Sequence, residues 1–562
     1  MELILVVVGA IVVAAIAKNR GLEPALMIVV VGIAASFLPG FTAPELESHV
    51  LLSVVLPPLL YSAALDFSFP AFIRNIKPIL GLGVGLVVVT AFAVAAVSAW
   101  LVVVPLTFAT ALVLGAIVAP PDAVTAVAVG RKLGLPKRVM TILTGESLIN
   151  DAAALALFSI AVAQIAGTHV FIANPLLLFG YSALLGPVVG VALGYVTLWI
   201  RERLNSASLE TIQGLVVPFA AYLTAERFHA SGVLAVVAAG FIVGSGTLSA
   251  GYQTRLQERY VWHSVDVLLE AFVFAYIGLH LRFVLEDLRD AHESLAEVGI
   301  GALAVLAIVL VIRPLSVFVM FGRGVLSRHV DRRLSVPIPE GGRGALGVRK
   351  PGKPKGKWRS MIDHTALTWQ ENVVVSWTGM RGVVTLAAAA GIPPTVASGE
   401  PFPERATIQA IAFAVAVGTL LLQGWTLPPL IRRLHLSSRE DDRIYDREET
   451  YKTEQTVHFA ADEVLARFEA EPPAGLDPHV LTEIRTWIAR HSKDADEMPD
   501  PEEHNLRAEV FSTLYRNVLA AQRAALITER DEGRIDDEAV RAMLDRLDLQ
   551  EASVTARMES RI

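Results

Sequence analysis

The chain has 562 residues, of which 53% are hydrophobic and 18% charged, with a formal net charge of −7 and no cysteine. Soluble domains carry about a quarter charged residues, so the composition excludes a wholly soluble protein, and the lack of thiols excludes a disulfide framework, a thiolate metal site and thiol catalysis. The small net charge is a cancellation: residues 436–562 hold 17 Lys and Arg against 30 Asp and Glu, the part before them is net positive, and the balance gives no sign of nucleic-acid binding.

Residues 1 to about 435 carry a succession of apolar runs of bilayer-spanning length. They fall at roughly 3–17, 22–39, 50–67, 78–104, 106–129, 139–166, 175–200, 211–227, 231–250, 263–281, 296–325, 371–391 and 405–433, which predicts about thirteen transmembrane helices. The first, Leu3 to Ala17, follows Glu2 rather than a basic region and has no small-residue cleavage pattern. It reads as a retained membrane helix, not a signal peptide.

Basic residues alternate between the connections. The odd-numbered ones hold Lys18 and Arg20; Arg74 and Lys77; Arg131, Lys132, Lys137 and Arg138; Arg201 and Arg203; Arg255 and Arg259; then a dense run from Arg323 to Arg359. The even-numbered ones hold only Arg227, Arg282, Arg289 and Arg405. Positive charge stays in the cytoplasm, so the chain is expected to start outside and end inside the cell membrane. The long basic loop, about 326–370, has the composition of a flexible tether near anionic headgroups.

From Leu436 the apolar runs stop. Helical periodicity reappears in patches at Val457 to Phe468, Val480 to Ala489, Leu506 to Arg530 and Asp536 to Leu549, with breaks at Pro472-Pro473 and Pro499-Asp500-Pro501. The last patch opens with acids, as a helix N-terminus favours. Residues 436–562 are therefore expected to form a small acidic helical cytoplasmic domain with a regulatory role and an unidentified ligand, behind an all-α transmembrane domain at 1–435.

Charge at bilayer depth is costly unless it faces a protein interior or an aqueous cavity. One span holds Ala119-Pro120-Pro121-Asp122, where two prolines must break the helical ladder beside an acid. A second interruption is Trp377-Thr378-Gly379-Met380-Arg381-Gly382, where glycines flank a cation. Gly- or Pro-interrupted spans in corresponding halves mark a transporter's midplane site and suggest an inverted repeat. Between them, Gly145-Glu146-Ser147-Leu148-Ile149-Asn150-Asp151 places Glu146 and Asn150 on one helix face, with Asp151 about 100° further round. A buried Glu146 demands a partner, for which Arg381 is the candidate. Asp122, Glu146 and Asp151 together outnumber Arg381, so a static salt-bridge cluster leaves a carboxylate able to hold a proton or a hard monovalent cation. Asp66 and Glu270 are accessory candidates, as is Arg313, for which a structural role is favoured. His229 and His263 read as interfacial.

These motifs resemble those of the NhaP-type bacterial antiporters and the animal sodium/proton exchangers. Glu146 to Asp151 is similar to their Glu-Ser-Leu-x-Asn-Asp, Ala119 to Val124 to their Ala-Thr-Asp-Pro-Val, and Trp377 to Ala387 to their Trp-Gly-Gly-Leu-Arg-Gly-Ala-Val-Ser-Leu-Ala. Ala230 to Gly240 and Glu270 to Leu279 also fit, and the resemblance covers residues 1 to about 435. It implies a homodimeric thirteen-helix fold with two crossing broken helices, a dimerisation domain and a moving core. It implies that Asp151 carries the ion or proton, with Asp122, Asn150, Ser147 and the Pro121 carbonyl completing the Na+ site, and that Glu146 pairs with Arg381. The Asn-Asp pattern implies electroneutral one-for-one exchange. Threonine usually stands where Pro121 does here, and proline where Ala123 does, so the side-chain hydroxyl is missing.

The expected function is antiport of Na+ or Li+ against H+, with no cofactor and no enzymatic activity. K+/H+ exchange is the alternative. A cation channel would need no proton-competing carboxylate, and an intramembrane aspartyl protease would need Tyr-Asp and Gly-x-Gly-Asp contexts that neither acid has.

Overall fold

The computed structural model describes residues 2–38, 51–100, 106–122, 124–167, 172, 174–204, 206–334, 367–436, 440–470 and 505–559. Most of the basic loop, at 335–366, lies outside the described residues, as do Val480 to Ala489 and both proline breaks of the tail. The helices are α1 (Glu2–Asn19), α2 (Pro24–Ser36), α3 (Leu56–Asp66), α4 (Phe69–Arg74), α5 (Ile76–Trp100), α6 (Phe108–Val118) and α7 (Val124–Leu133). Then come α8 (Lys137–Ala166), α9 (Pro175–Arg201), α10 (Ala207–Arg227), α11 (Gly232–Gly246), α12 (Tyr252–Leu279), α13 (Leu281–Asp290) and α14 (Leu295–Leu334). The chain continues through α15 (Trp369–Trp377), α16 (Val383–Ala390), α17 (Arg405–Leu434), α18 (Glu440–Ala470), α19 (Asn505–Asp531) and α20 (Asp537–Glu559). Among the described residues there is no strand; one isolated bridge pairs Thr395 with Pro401.

The fold is that of an all-α polytopic membrane protein. Among the described residues, six helices have the length and hydropathy to cross a bilayer unaided, and α1, α2, α3, α6 and α11 are shorter apolar helices. The predicted fifth and twelfth spans are each divided in two, as α6/α7 and α15/α16. Apolar side chains are exposed where water would forbid them: Ile4, Val8 and Val12 on α1, Leu184, Val188 and Trp199 on α9, and Leu303, Val311 and Val319 on α14. Such surfaces suit hydrocarbon, where backbone groups must pair within the helix.

Two compact units emerge. The first contains 1–199, 213–243 and 262–438. In it, one apolar cluster joins α3, α10, α11 and the start of α12, around Tyr61, Ala221, Val236 and Trp262. Others join α6, α14, α16 and α17, around Leu114, Ile117, Val305 and Ile411, and the first half of α8 with α12, α15 and α17. Small residues bring the helices close, as membrane packing requires. Gly115 of α6 lies against the backbone of Ala91 on α5, where a Cβ would overlap its carbonyl. A cavity of about 480 Å³ separates α4, α5 and α8, through Phe72, Val84, Ile149 and Ala152, from α9 and α11, through Pro187 and Val237.

The second unit contains 200–212, 244–261 and 439–562, so helix ends from the transmembrane part belong with the tail. In the tail, α18, α19 and α20 close around Val457, Leu465, Leu514, Val518, Leu526, Val540 and Leu544. The α20 helix starts at Asp537, with Asp537 and Glu538 in its first turn.

Candidate ion-binding site

The two broken spans meet at their breaks. The α6 helix ends at Val118, capped at Ala119, and Pro120 and Pro121 carry the chain to Asp122 before α7 begins. The other span starts from a capping box. Thr368 Oγ1 accepts from the Glu371 N–H at 3.3 Å, and Glu371 Oε2 accepts from the Thr368 N–H at 2.6 Å. It ends at Trp377, and residues 378–382 lead to α16. The Asp122 N–H donates to the Met380 carbonyl at 2.6 Å, which ties one break to the other. Gly382 lies against the Asp122 carboxylate so closely that any Cβ there would overlap it.

Breaking a helix in a membrane leaves carbonyls without donors. Arg381 supplies them. Its Nε donates to the Val118 carbonyl at 2.9 Å, its Nη2 to Ala119 at 3.4 Å and its Nη1 to Gly379, while its own N–H donates to Thr419 Oγ1 of α17 at 3.0 Å. A buried cation thus stands at the C-terminal, negative end of the α6 dipole.

The expected Glu146–Arg381 ion pair is not the one formed. Glu146 is held by Arg313 of α14, with Nη1 to Oε1 at 2.5 Å and Nη2 to Oε2 at 2.9 Å, and both side chains are 2% exposed. Arg313 Nε also donates to the Val375 carbonyl of α15 at 3.0 Å, so one planar guanidinium fastens α8, α14 and α15. Arg381 is occupied with the helix terminus, and a fork-to-fork contact with α14 satisfies Glu146 more completely. Charge complementarity in sequence could show that Glu146 needs a cation but not which of two buried arginines reaches it.

On α8, Asn150 is wholly buried and donates through Nδ2 to the Pro121 carbonyl at 2.5 Å. The oxygen expected as an ion ligand is therefore already an acceptor, with one lone pair left, while Asn150 Oδ1 is buried and without a hydrogen-bond partner. Asp151 is 8% exposed, and the Asp122 carboxylate is the charge that acts on it. Ser147 is half-buried one turn before Asp151 on the same face. The breaks and α8 thus converge on Asp122, Asn150, Asp151 and the Pro121 carbonyl, a set of oxygens suited to a hard cation.

Other candidates lie apart from this cluster. Asp66 is exposed at the end of α3. Glu270 is half-buried on α12. Asp266, which the sequence reading passed over, accepts from Ser62 Oγ of α3 at 2.6 Å. Its signal was available: an acid four residues before Glu270 on the same face of an apolar span. His229 is exposed with φ of 54°, and His263 is exposed.

Residues 3–433 match the sequence profile of the transmembrane sodium/hydrogen exchanger family, and the chain belongs to that family of secondary transporters. It is 28% identical over 564 residues to an uncharacterized Na(+)/H(+) exchanger of Mycobacterium tuberculosis, covering 99% of this chain and 96% of that one. It is 26% identical to the Na(+)/H(+) antiporter NhaH of Halobacillus aidingensis, over 78% of this chain and 98% of the relative. The fold resembles that of the sodium proton antiporter MjNhaP1 from Methanocaldococcus jannaschii, with a TM-score of 0.55 and 18% identity over 78% of this chain and 99% of that one.

Proposed function

We propose that this chain exchanges Na+ or Li+ for H+ across the cytoplasmic membrane, one for one, by competition at Asp151. The observation that carries the reading is a nearly buried carboxylate at the crossing of two broken helices, beside two other buried charges that already have partners. Glu146 is neutralised by Arg313, and Arg381 serves helix-end carbonyls. Deprotonated Asp151 takes the metal ion, with Asp122, Ser147, Asn150 Oδ1 and the remaining lone pair of the Pro121 carbonyl as further oxygens. Protonated, it returns without metal. A site that holds one or the other but never both makes the exchange obligatory, and a neutral amide at Asn150 leaves one proton as the counterpart of one cation. The chain is read as a homodimer with its N-terminus outside and its tail in the cytoplasm, needing no cofactor.

The test is Asp151→Asn in everted membrane vesicles, following proton release by fluorescence dequenching on addition of Na+, Li+ or K+. Cation-dependent release should vanish; release at the wild-type rate refutes the assignment. A second reading is K+/H+ exchange. Pro121 brings no hydroxyl and its carbonyl is shared with Asn150, which leaves a looser cage. Wild-type release with K+ at lower concentration than with Na+ would select that reading.

A further inference from the structure

We propose that the cavity between α8 and the α9–α11 pair is a binding site for one acyl chain of an anionic phospholipid, whose headgroup is held at Arg74 and Lys77. The site does not depend on which ion the crossing carries.

Packing elsewhere in the same helices shows that the gap is not loose assembly. The α9 and α11 helices are drawn tightly together: a Cβ at Gly186 or Gly190 of α9 would overlap the backbone of Ser231 or Ala235 on α11. Together they stand off from α8, which faces the gap with Ala152, Ala153 and Ala156, while they face it with Ala183 and Ala238. Alanines on both walls would let these helices close, yet about 480 Å³ separates them.

The chemistry of the walls sets what fills the gap. Of the lining residues only Ser182 and Ser231 have a polar side chain, and both are spent on backbone. Ser182 Oγ donates to the His229 carbonyl at 3.3 Å, and Ser231 Oγ accepts from the Leu234 N–H at 3.3 Å. Water needs several polar partners, so an apolar cavity stays dry and takes an apolar guest. The volume is roughly three times the ~150 Å³ that admits one benzene. The gap is also long. The α9 helix lines it from Phe179 to Val191, about 18 Å at ~1.5 Å per residue, close to the depth of one leaflet in a hydrocarbon core of about 30 Å. An empty gap of this size forfeits the dispersion contacts of its wall atoms, and the solvent at this depth is acyl chain.

The entrance carries charge of the complementary sign. Phe69 and Leu80 line the cavity and are 46% and 45% exposed, so it opens beside them. Arg74 and Lys77 lie between these two residues in sequence, where α4 passes into α5, and both are exposed. The positive-inside pattern assigns this junction to the cytoplasmic leaflet, where anionic headgroups attract basic side chains. A phospholipid with its phosphate at Arg74 and Lys77 lays one chain along α5, past Ile76 and Val84, into the gap. Its second chain stays in the bilayer.

For the test, the full chain is purified in detergent, stripped of lipid and titrated with dioleoyl phosphatidylglycerol, with bound molecules counted by native mass spectrometry. One phospholipid per chain should survive the activation that removes the others. Ala183→Phe and Ala238→Phe put a ring into the gap from two different helices. Each should lose that last phospholipid while melting no lower than the lipid-free wild type. Arg74→Gln with Lys77→Gln should weaken phosphatidylglycerol binding by about ten-fold or more, as removal of two basic side chains beside an anionic group predicts, and bring it to the level of dioleoyl phosphatidylcholine. Retention of the last phospholipid in both ring variants means surface lipid only and overturns the site. Equal retention of dihexanoyl phosphatidylglycerol by the wild type, with chains too short to fill the gap, overturns the acyl chain as ligand, and this comparison decides if a ring variant fails to fold. Preferential retention of oleate overturns the phospholipid, and an unchanged preference for phosphatidylglycerol in the double glutamine variant overturns the headgroup contact.

Discussion

Which arginine neutralises Glu146 can be decided by a double-mutant cycle. Glu146 and Arg313 are each 2% exposed and joined by two hydrogen bonds. Replacing Glu146 with leucine leaves a buried guanidinium uncompensated, which costs about 3–5 kcal/mol, as does replacing Arg313 alone. At roughly 2–4 °C per kcal/mol for a large domain, the melting temperature of the purified protein should fall on the order of 10 °C. The double variant Glu146→Leu/Arg313→Leu removes both charges, leaving the Val375 carbonyl with the Thr378 hydroxyl as its donor, and should melt above either single variant. Glu146→Leu/Arg381→Leu should melt below both of its single variants. There the Arg313 charge stays uncompensated, and the carbonyls of Val118, Ala119 and Gly379 lose their donor. Fluorescence-detected thermal unfolding in detergent gives all the corners. Recovery in the Arg381 pair and none in the Arg313 pair would refute the pairing and return Arg381 to Glu146.

Two further outcomes follow from the crossing. Gly382→Ala places a Cβ on the Asp122 carboxylate, so cation-driven proton release should fall by about ten-fold or more while a correctly folded protein is recovered by size exclusion, because a misplaced ligand costs rate far more than fold. Wild-type transport in that variant would mean that Asp122 can move aside freely. Asn150→Ala leaves the Pro121 carbonyl buried without its donor, at a stability cost of about 1–3 kcal/mol, and removes the unpartnered Oδ1. The half-saturating Na+ concentration should rise, and an unchanged value would take the amide oxygen out of the ion's shell.

The sequence alone determined that most of the chain lies in a membrane, because apolar runs of bilayer length cannot be hidden in a soluble core this often. It also determined where helices break, since prolines at 120 and 121 and glycines at 379 and 382 act locally on the backbone whatever surrounds them. It showed which acids needed an explanation, because the cost of charge in hydrocarbon depends on depth and not on neighbours. Partner choice was decided by tertiary structure. Arg313 and Arg381 are equally cationic in sequence, and only the packing of α14 against α8 and α15 brings the first to Glu146 while the second closes the end of α6. The same holds for the Pro121 carbonyl, taken by Asn150, and for Arg255, which looked like one more positive charge in a cytoplasmic connection and donates to Asp548. Nothing in its local sequence announces that partner, 293 residues away. Periodicity and composition act over one helix, whereas a buried ion pair is selected among all the charges that the folded chain can bring within hydrogen-bond distance.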